Sequence, residues 1–158
     1  MQYFTKELWQ QMNDLNEAVR SQAEAQFVEN LNVYKETFNK TKKHLPNKFL
    51  KVYASHNEFH DYVFQGISLI RTHRNYKIEI QLSNERELFL LEFYEVLCFK
   101  IDIYSFKYCI LGLLSWGYGE FEIMPDKSIR LSILCDFENE LQFQFKNVKV
   151  RTEALLGK

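Results

Sequence analysis

Between Glu87 and Tyr104 the apolar side chains fall on odd positions: Phe89, Leu91, Phe93, Leu97, Phe99, Ile101 and Ile103. Glu92, Lys100 and Asp102 lie between them. A spacing of two belongs to a β-strand with one buried face. Leu88, Leu90, Tyr94 and Val96 make part of the other face apolar, which predicts cover on that side too. The run is longer than an ordinary strand, so a bend or bulge is expected near Tyr94 to Val96. This stretch is read as the central strand of the fold.

Upstream the period is helical. Thr5 is the expected cap of a short helix, Lys6 to about Met12, with Phe4, Leu8 and Met12 inward and Glu7 at its positive end. Val19, Ala23, Phe27, Leu31, Tyr34, Phe38 and Leu45 recur at steps of four, three and seven, which predicts a long helix from Leu15 to about Lys43. At 1.5 Å per residue it reaches roughly 40 Å, so either its ends overhang or it kinks near Asn30 to Asn32. Pro46 ends it and opens a third helix to Ala54, with Phe49, Leu50 and Tyr53 on one face.

From Tyr62 the period returns to two. Strands are expected over Tyr62–Thr72, Tyr76–Leu82, Phe121–Met124, Ile129–Cys135 and Leu141–Val150, with turns at His73-Arg74-Asn75 and Asn84-Glu85-Arg86. Leu141, Phe143 and Phe145 are odd while Val148 and Val150 are even, and that change of parity predicts a bulge at Lys146-Asn147. Ser105 to Trp116 fits a buried strand, a two-turn helix or a contact surface. Gly117 and Gly119 are expected to break it, and Arg151 to Lys158 reads as a tail. Helices first and short-looped strands after predict one α+β domain over 1–158, helical in 1–54 and a mostly antiparallel, meander-like sheet in 62–150.

Composition narrows the function classes. A chain of 158 residues, 46% apolar and 16% aromatic, is long enough to bury a core without staples. A net charge of −1 argues against a nucleic-acid partner. The opening MQYFTKELWQQ has neither the basic nor the long apolar region of a signal peptide, and no apolar run is long enough to cross a bilayer. Cys98, Cys109 and Cys135 are odd in number and sit in apolar runs, which suits reduced thiols in the cytoplasm. No membrane partner and no cofactor is expected.

Met1-x-Tyr3-Phe4-Thr5-Lys6-Glu7-Leu8-Trp9 resembles the opening of a domain-of-unknown-function family from Bacillus-like bacteria. The likeness continues at Leu45-Pro46 with Phe49-Leu50, at Phe59-His60-Asp61, at Trp116-Gly117-Tyr118-x-Glu120-Phe121, and from Glu140-Leu141 to Val150. The resemblance implies a small cytoplasmic α+β domain and carries no activity or catalytic residue. Immunity proteins of toxin systems are similar in size and class, by analogy alone.

Two short stretches hold candidate chemistry. On a helix, His56 and His60 would share a face at i,i+4 and grip one metal, with Asp61 or Glu58 as an oxygen ligand of a metal-dependent hydrolase. The competing account is that Asp61 and His60 shape the entry to the first strand. Trp116, Tyr118 and Glu120, with their flanking glycines, compose either a binding loop or a turn whose rings cap the core. Together with His60 and Asp61 they are the candidate binding residues. Glu85, Glu87, Glu92, Glu95 and Asp102 give the central strand an acidic flank, and the lysines from Lys35 to Lys51 make a solvated helix end. No phosphate loop and no nucleophile elbow is present. The favoured expectation is a non-enzymatic interaction module that binds another protein or its own copy. A small-ligand pocket between the long helix and the sheet, lined by Phe and Tyr, is the third expectation.

Overall fold

The computed structural model describes residues 1–102, 114–136 and 139–154. Thr5 caps α1 (Lys6–Met12) by accepting the Leu8 N–H at 3.2 Å, and Phe4 and Leu8 are buried beside it. Asn16 caps α2 (Glu17–Thr41) by taking the Ala18 N–H. With neither glycine nor proline inside, α2 runs unbroken for 25 residues, about 37 Å at 1.5 Å per residue. The helical assignment is continuous through Asn30 to Asn32. Ala23 and Tyr34 are buried along one stripe, while Val28 and Val33 face solvent. Pro46, with an extended backbone, caps α3 (Asn47–Ser55) and turns the chain so that Phe49 and Tyr53 bury completely or nearly so.

Among the described residues eight antiparallel strands follow: β1 (Tyr62–Arg71), β2 (Tyr76–Ser83), β3 (Glu87–Val96), β4 (Cys98–Asp102), β5 (Ser115–Ile123), β6 (Ile129–Cys135), β7 (Glu140–Phe145) and β8 (Asn147–Ala154). Their order in the sheet is β4-β7-β6-β5-β1-β2-β3-β8. Two three-stranded meanders, β1-β2-β3 and β5-β6-β7, are joined where β1 meets β5 and where β3 and β4 meet β8 and β7. Because β4 continues β3 and β8 continues β7, the two ends of the order belong to one long ladder. The sheet therefore rolls back on itself.

The expected central strand is thus two strands with a bend between them. Tyr94 pairs with Asn147 and Cys98 with Gln144, so three residues on one side face two on the other, and Glu95 takes φ 53°. The bulge at Lys146 lets Phe143 and Phe145 on one side, and Val148 and Val150 on the other, all point inward. Phe99 keeps the inward parity and packs on the core, but Leu97 and Ile101 are 51% and 42% exposed. Leu97 lies in the bend itself. Ile101 is on β4, past the last β2 partner of the ribbon, Val96.

Three further expectations change. Trp116 to Glu120 is neither loop nor turn but the first part of β5, with a bulge between Trp116 and Tyr118. Gly117 is required there by close approach, since a Cβ would lie 2.7 Å from the Leu134 carbonyl oxygen. Arg151 to Ala154 pairs with β3 instead of trailing as a tail. The open question over Ser105 to Trp116 lies outside the described residues except for its end, where Ser115 and Trp116 are strand.

One continuous core joins sheet and helices. Ile78, Ile80, Leu82, Phe89, Leu91 and Phe93 bury their side chains against Phe121, Leu131, Phe143 and Phe145, and against Phe49, Tyr53 and Phe59 from the helical side. Phe93 meets Phe143 and Phe145 edge-on at 4.7 and 4.9 Å, a favoured geometry for aromatic quadrupoles.

The outer face of β2-β3-β8 carries a charged cluster centred on Glu92, whose side chain is 4% exposed. Lys77 Nζ lies 3.3 Å from one of its oxygens and an Arg151 nitrogen 2.9 Å from the other. Lys77 and Lys149 also sit over the Tyr94 ring, at 5.8 and 5.0 Å. Three more acids of that flank are paired: Glu87 meets His56, Glu95 meets Lys146, and Asp102 meets Lys6. Burial pushes the Glu92 carboxyl up, but the Tyr94 hydroxyl, Lys77 and Arg151 outweigh it and hold the pKa below the ordinary value.

A carboxyl whose folded pKa is depressed stabilises the fold above its unfolded pKa, and the contribution is lost as pH falls through the folded value. Thermal unfolding should show the wild-type melting temperature dropping below about pH 4.5. Glu92→Gln should lose about 1–2 kcal/mol at pH 7 and show a shallower acid limb.

Candidate functional site

β1 covers β5 only at Tyr62–Trp116 and Val63–Ser115, so beyond Trp116 the edge of β5 is open. The long helix fills part of that gap. The Phe121 N–H donates to the Tyr34 hydroxyl oxygen at 2.8 Å, a buried bond from the sheet edge to α2. By the two-residue alternation of an antiparallel strand, the Gly119 N–H and carbonyl face the same open side. A cavity of about 190 Å³ remains here, lined by Phe4, Phe27 and Tyr34, by Asn57, Glu58 and His60, and by Gly117 to Gly119 with Leu31.

Four segments build its walls: the residues before α1, α2, the turn after α3 and β5. The segment before α1 is held by Glu120, which points out of β5 and is 7% exposed. Its carboxylate accepts the Gln2 N–H at 2.8 Å and the Tyr3 and Phe4 N–H groups at 2.7 Å each. Asn30 of α2 donates to the Tyr3 carbonyl, closing the clasp. The Phe4, Phe27 and Tyr118 rings then lie 5.2–5.3 Å apart by centroid, with Tyr34 5.5 Å from Phe4.

The turn after α3 forms the polar wall, and it is strained. Asn57, Glu58 and Phe59 have φ of 49°, 56° and 62°, and Asp61 has φ 67°. Asn and Asp enter this left-handed region readily, but Glu58 and Phe59 cost roughly 1–2 kcal/mol each there. The turn survives because its ends are fixed: Phe59 is fully buried, and the Asp61 N–H donates to the Trp116 carbonyl at 2.8 Å. Strain of this kind concentrates at functional sites.

This conformation overturns the helical premise of the metal site. α3 stops at Ser55, so His56 and His60 do not share a face. His56 turns to β3, with its ring 4.7 Å from Phe89, Nδ1 2.7 Å from the Val52 carbonyl and Nε2 3.2 Å from Glu87. His60 turns to β5, 5.1 Å from the Tyr118 ring, with Nδ1 3.0 Å from Asp61. Among the described residues no group of three or more His, Cys, Asp or Glu converges as metal ligands would.

The candidate binding residues divide accordingly. His60 and Tyr118 line the cavity, Asp61 orients His60, Glu120 secures a wall, and Trp116 is fully buried beneath. Phe4, Phe27 and Tyr34 were legible only as core residues, and Asn57 carried no reading of its own. Asn after a helix is a known left-handed signal, and it is the one clue from which this turn could have been read.

The site is electrostatically uneven. Much of Glu58 is open to solvent, yet the buried part of its carboxyl raises its pKa, with the charge of Lys35 working against the rise. Burial, and then the charge of Asp61, push the Tyr118 hydroxyl up; burial first, with the charges of Glu58 and Glu120 behind it, drives Tyr34 far above its usual range against the bond from the Phe121 N–H. Both phenols therefore stay protonated. Beneath Gly119, neither Tyr53 Oη nor Trp116 Nε1 has a hydrogen-bond partner among the described residues.

The fold and cleft define a small α+β domain with an aromatic-walled cavity at an open strand edge. Comparison with family models, curated proteins and solved structures gives no match for this chain. No helix among the described residues is long and apolar enough to cross a membrane.

Glu120→Gln removes the charge and one acceptor from three backbone donors, and should destabilise by about 2 kcal/mol. Amide exchange at Gln2, Tyr3 and Phe4 should accelerate with it. Glu122→Gln, which loses only a surface pair with Arg130, should cost about 0.5 kcal/mol and leave those amides unchanged.

Proposed function

We propose that this protein is a non-enzymatic binding module, and that its binding site is the cavity between α2 and the open edge of β5. It accepts a small group, either a free ligand or one side chain of a protein partner. The observation that carries this reading is the convergence of four aromatic rings with Asn57, Glu58 and His60 on a strained turn. Left-handed backbone at three consecutive non-glycine residues lowers stability and has a use if it presents those side chains. Carboxyl, imidazole, amide and phenol groups around an apolar wall are the usual composition of a recognition site. Exposed Cys98, a thiol outside any disulfide, supports a reducing compartment, the cytoplasm.

Glu58→Gly separates the cost of the turn from its use. Glycine adopts this backbone freely, so the variant should unfold about 1 kcal/mol less readily than wild type. A thermal-shift screen of small polar and aromatic compounds should give ligands that move the NMR signals of Tyr118 and His60. Their affinity should fall at least tenfold in Tyr118→Leu. Hits that bind Tyr118→Leu unchanged would rule out the cavity as the site.

A further inference from the structure

We infer that the cavity takes an organic cation, a primary or methylated ammonium group, with Glu58 as its counter-charge and the rings of Phe4, Phe27, Tyr34 and Tyr118 as its walls. The inference rests on the binding reading above and names the chemistry of its ligand. Aromatic faces carry negative potential, and a cation within about 6 Å of a ring centroid is attracted to it. Among the described residues that line the cavity Glu58 is the only acid, and there is neither Lys nor Arg. Asp61 adds negative potential just behind, close enough to act on the Tyr118 hydroxyl.

An anion would meet two carboxylates and no lining cation. A neutral apolar ligand would leave the Glu58 carboxyl desolvated and without compensation. A cation replaces the hydration that the carboxyl has lost and covers the ring faces at once. Lys35 is the nearest competitor, but it is exposed on α2 and outside the lining, so solvent screens it. His60 is engaged by Asp61 and leaves Glu58 to the ligand.

The test titrates the full chain with choline and with Nα-acetyl-lysine methylamide, each beside a neutral counterpart of similar shape, 3,3-dimethylbutan-1-ol and Nα-acetyl-norleucine methylamide. The NMR signals of Tyr118 and His60 are the readout. At least one cation should bind about tenfold more tightly than its neutral partner. The stronger of the two cations identifies the source, a free ammonium compound or a lysine side chain. Glu58→Gln, checked for folding by its melting curve, should erase the preference for the cation over its neutral partner. Tyr118→Leu should weaken the cation in a chain whose turn is intact. Equal binding of cation and neutral, or a preference that persists in Glu58→Gln, overturns the cation inference and leaves the cavity as a binding site. If none of the four compounds and no screening hit moves Tyr118 or His60, both readings fall.

Discussion

Across the bend in the sheet, the Leu97 N–H still reaches the Gln144 carbonyl at 2.8 Å and the Lys146 N–H reaches Tyr94 at 3.1 Å, so two long strands turn together without giving up their ladder. Everything else in the fold depends on that shared turn. A buried backbone N–H left unpaired costs as much as a lost hydrogen bond, so a sheet this strongly curved needs its bulges opposite each other. Glu95 in the left-handed region supplies one, and Lys146 supplies the other. With the bend in place, the inner faces of both meanders look at one core, and Phe49, Tyr53 and Phe59 close it from the helical side.

Closure is complete on the β3–β8 side and partial on the other. Among the described residues only two residue pairs join β1 to β5, because β1 starts at Tyr62 and the residues that would face β5 beyond Trp116 form the turn after α3. What remains is an open strand edge beside the long helix, and the chain meets it with Tyr34 and with a turn in strained backbone. The cavity is therefore a consequence of the topology. Its position follows from where two meanders fail to pair, and its polarity from which residues the turn after α3 presents. Glu120 then fixes a further wall by holding three successive amides of the N-terminal segment, a strand residue acting as an anchor for a region far from it in sequence.

Much of this architecture is legible along the chain. The cap at Thr5, the period of the long helix, the stop at Pro46 and the alternation from Tyr76 to Leu82 are local signals, and each element lies within a few residues of where they put it, although the long helix starts at Glu17 under an Asn16 cap and not at Leu15. The parity change between Phe145 and Val148 located a bulge, because side-chain period is a property of the strand alone. The site was less legible. His60 and Tyr118 stood out, but as members of a helical pair and of a loop, and neither element exists. Three left-handed residues in a row follow from no propensity, and the β-strand at Trp116 to Glu120 is imposed by β6, against the preference of two glycines.

What the sequence by itself determined was the set of elements, their amphipathic faces and the α+β class, since periodicity and capping act between residues only a few positions apart. The tertiary structure alone decided which strands pair, that the sheet rolls back on itself, and that Phe4, Tyr34, Glu58 and Tyr118 meet around one cavity. Those residues lie on four separate segments. The free energy that brings them together comes from burying the shared core, which no local pattern records.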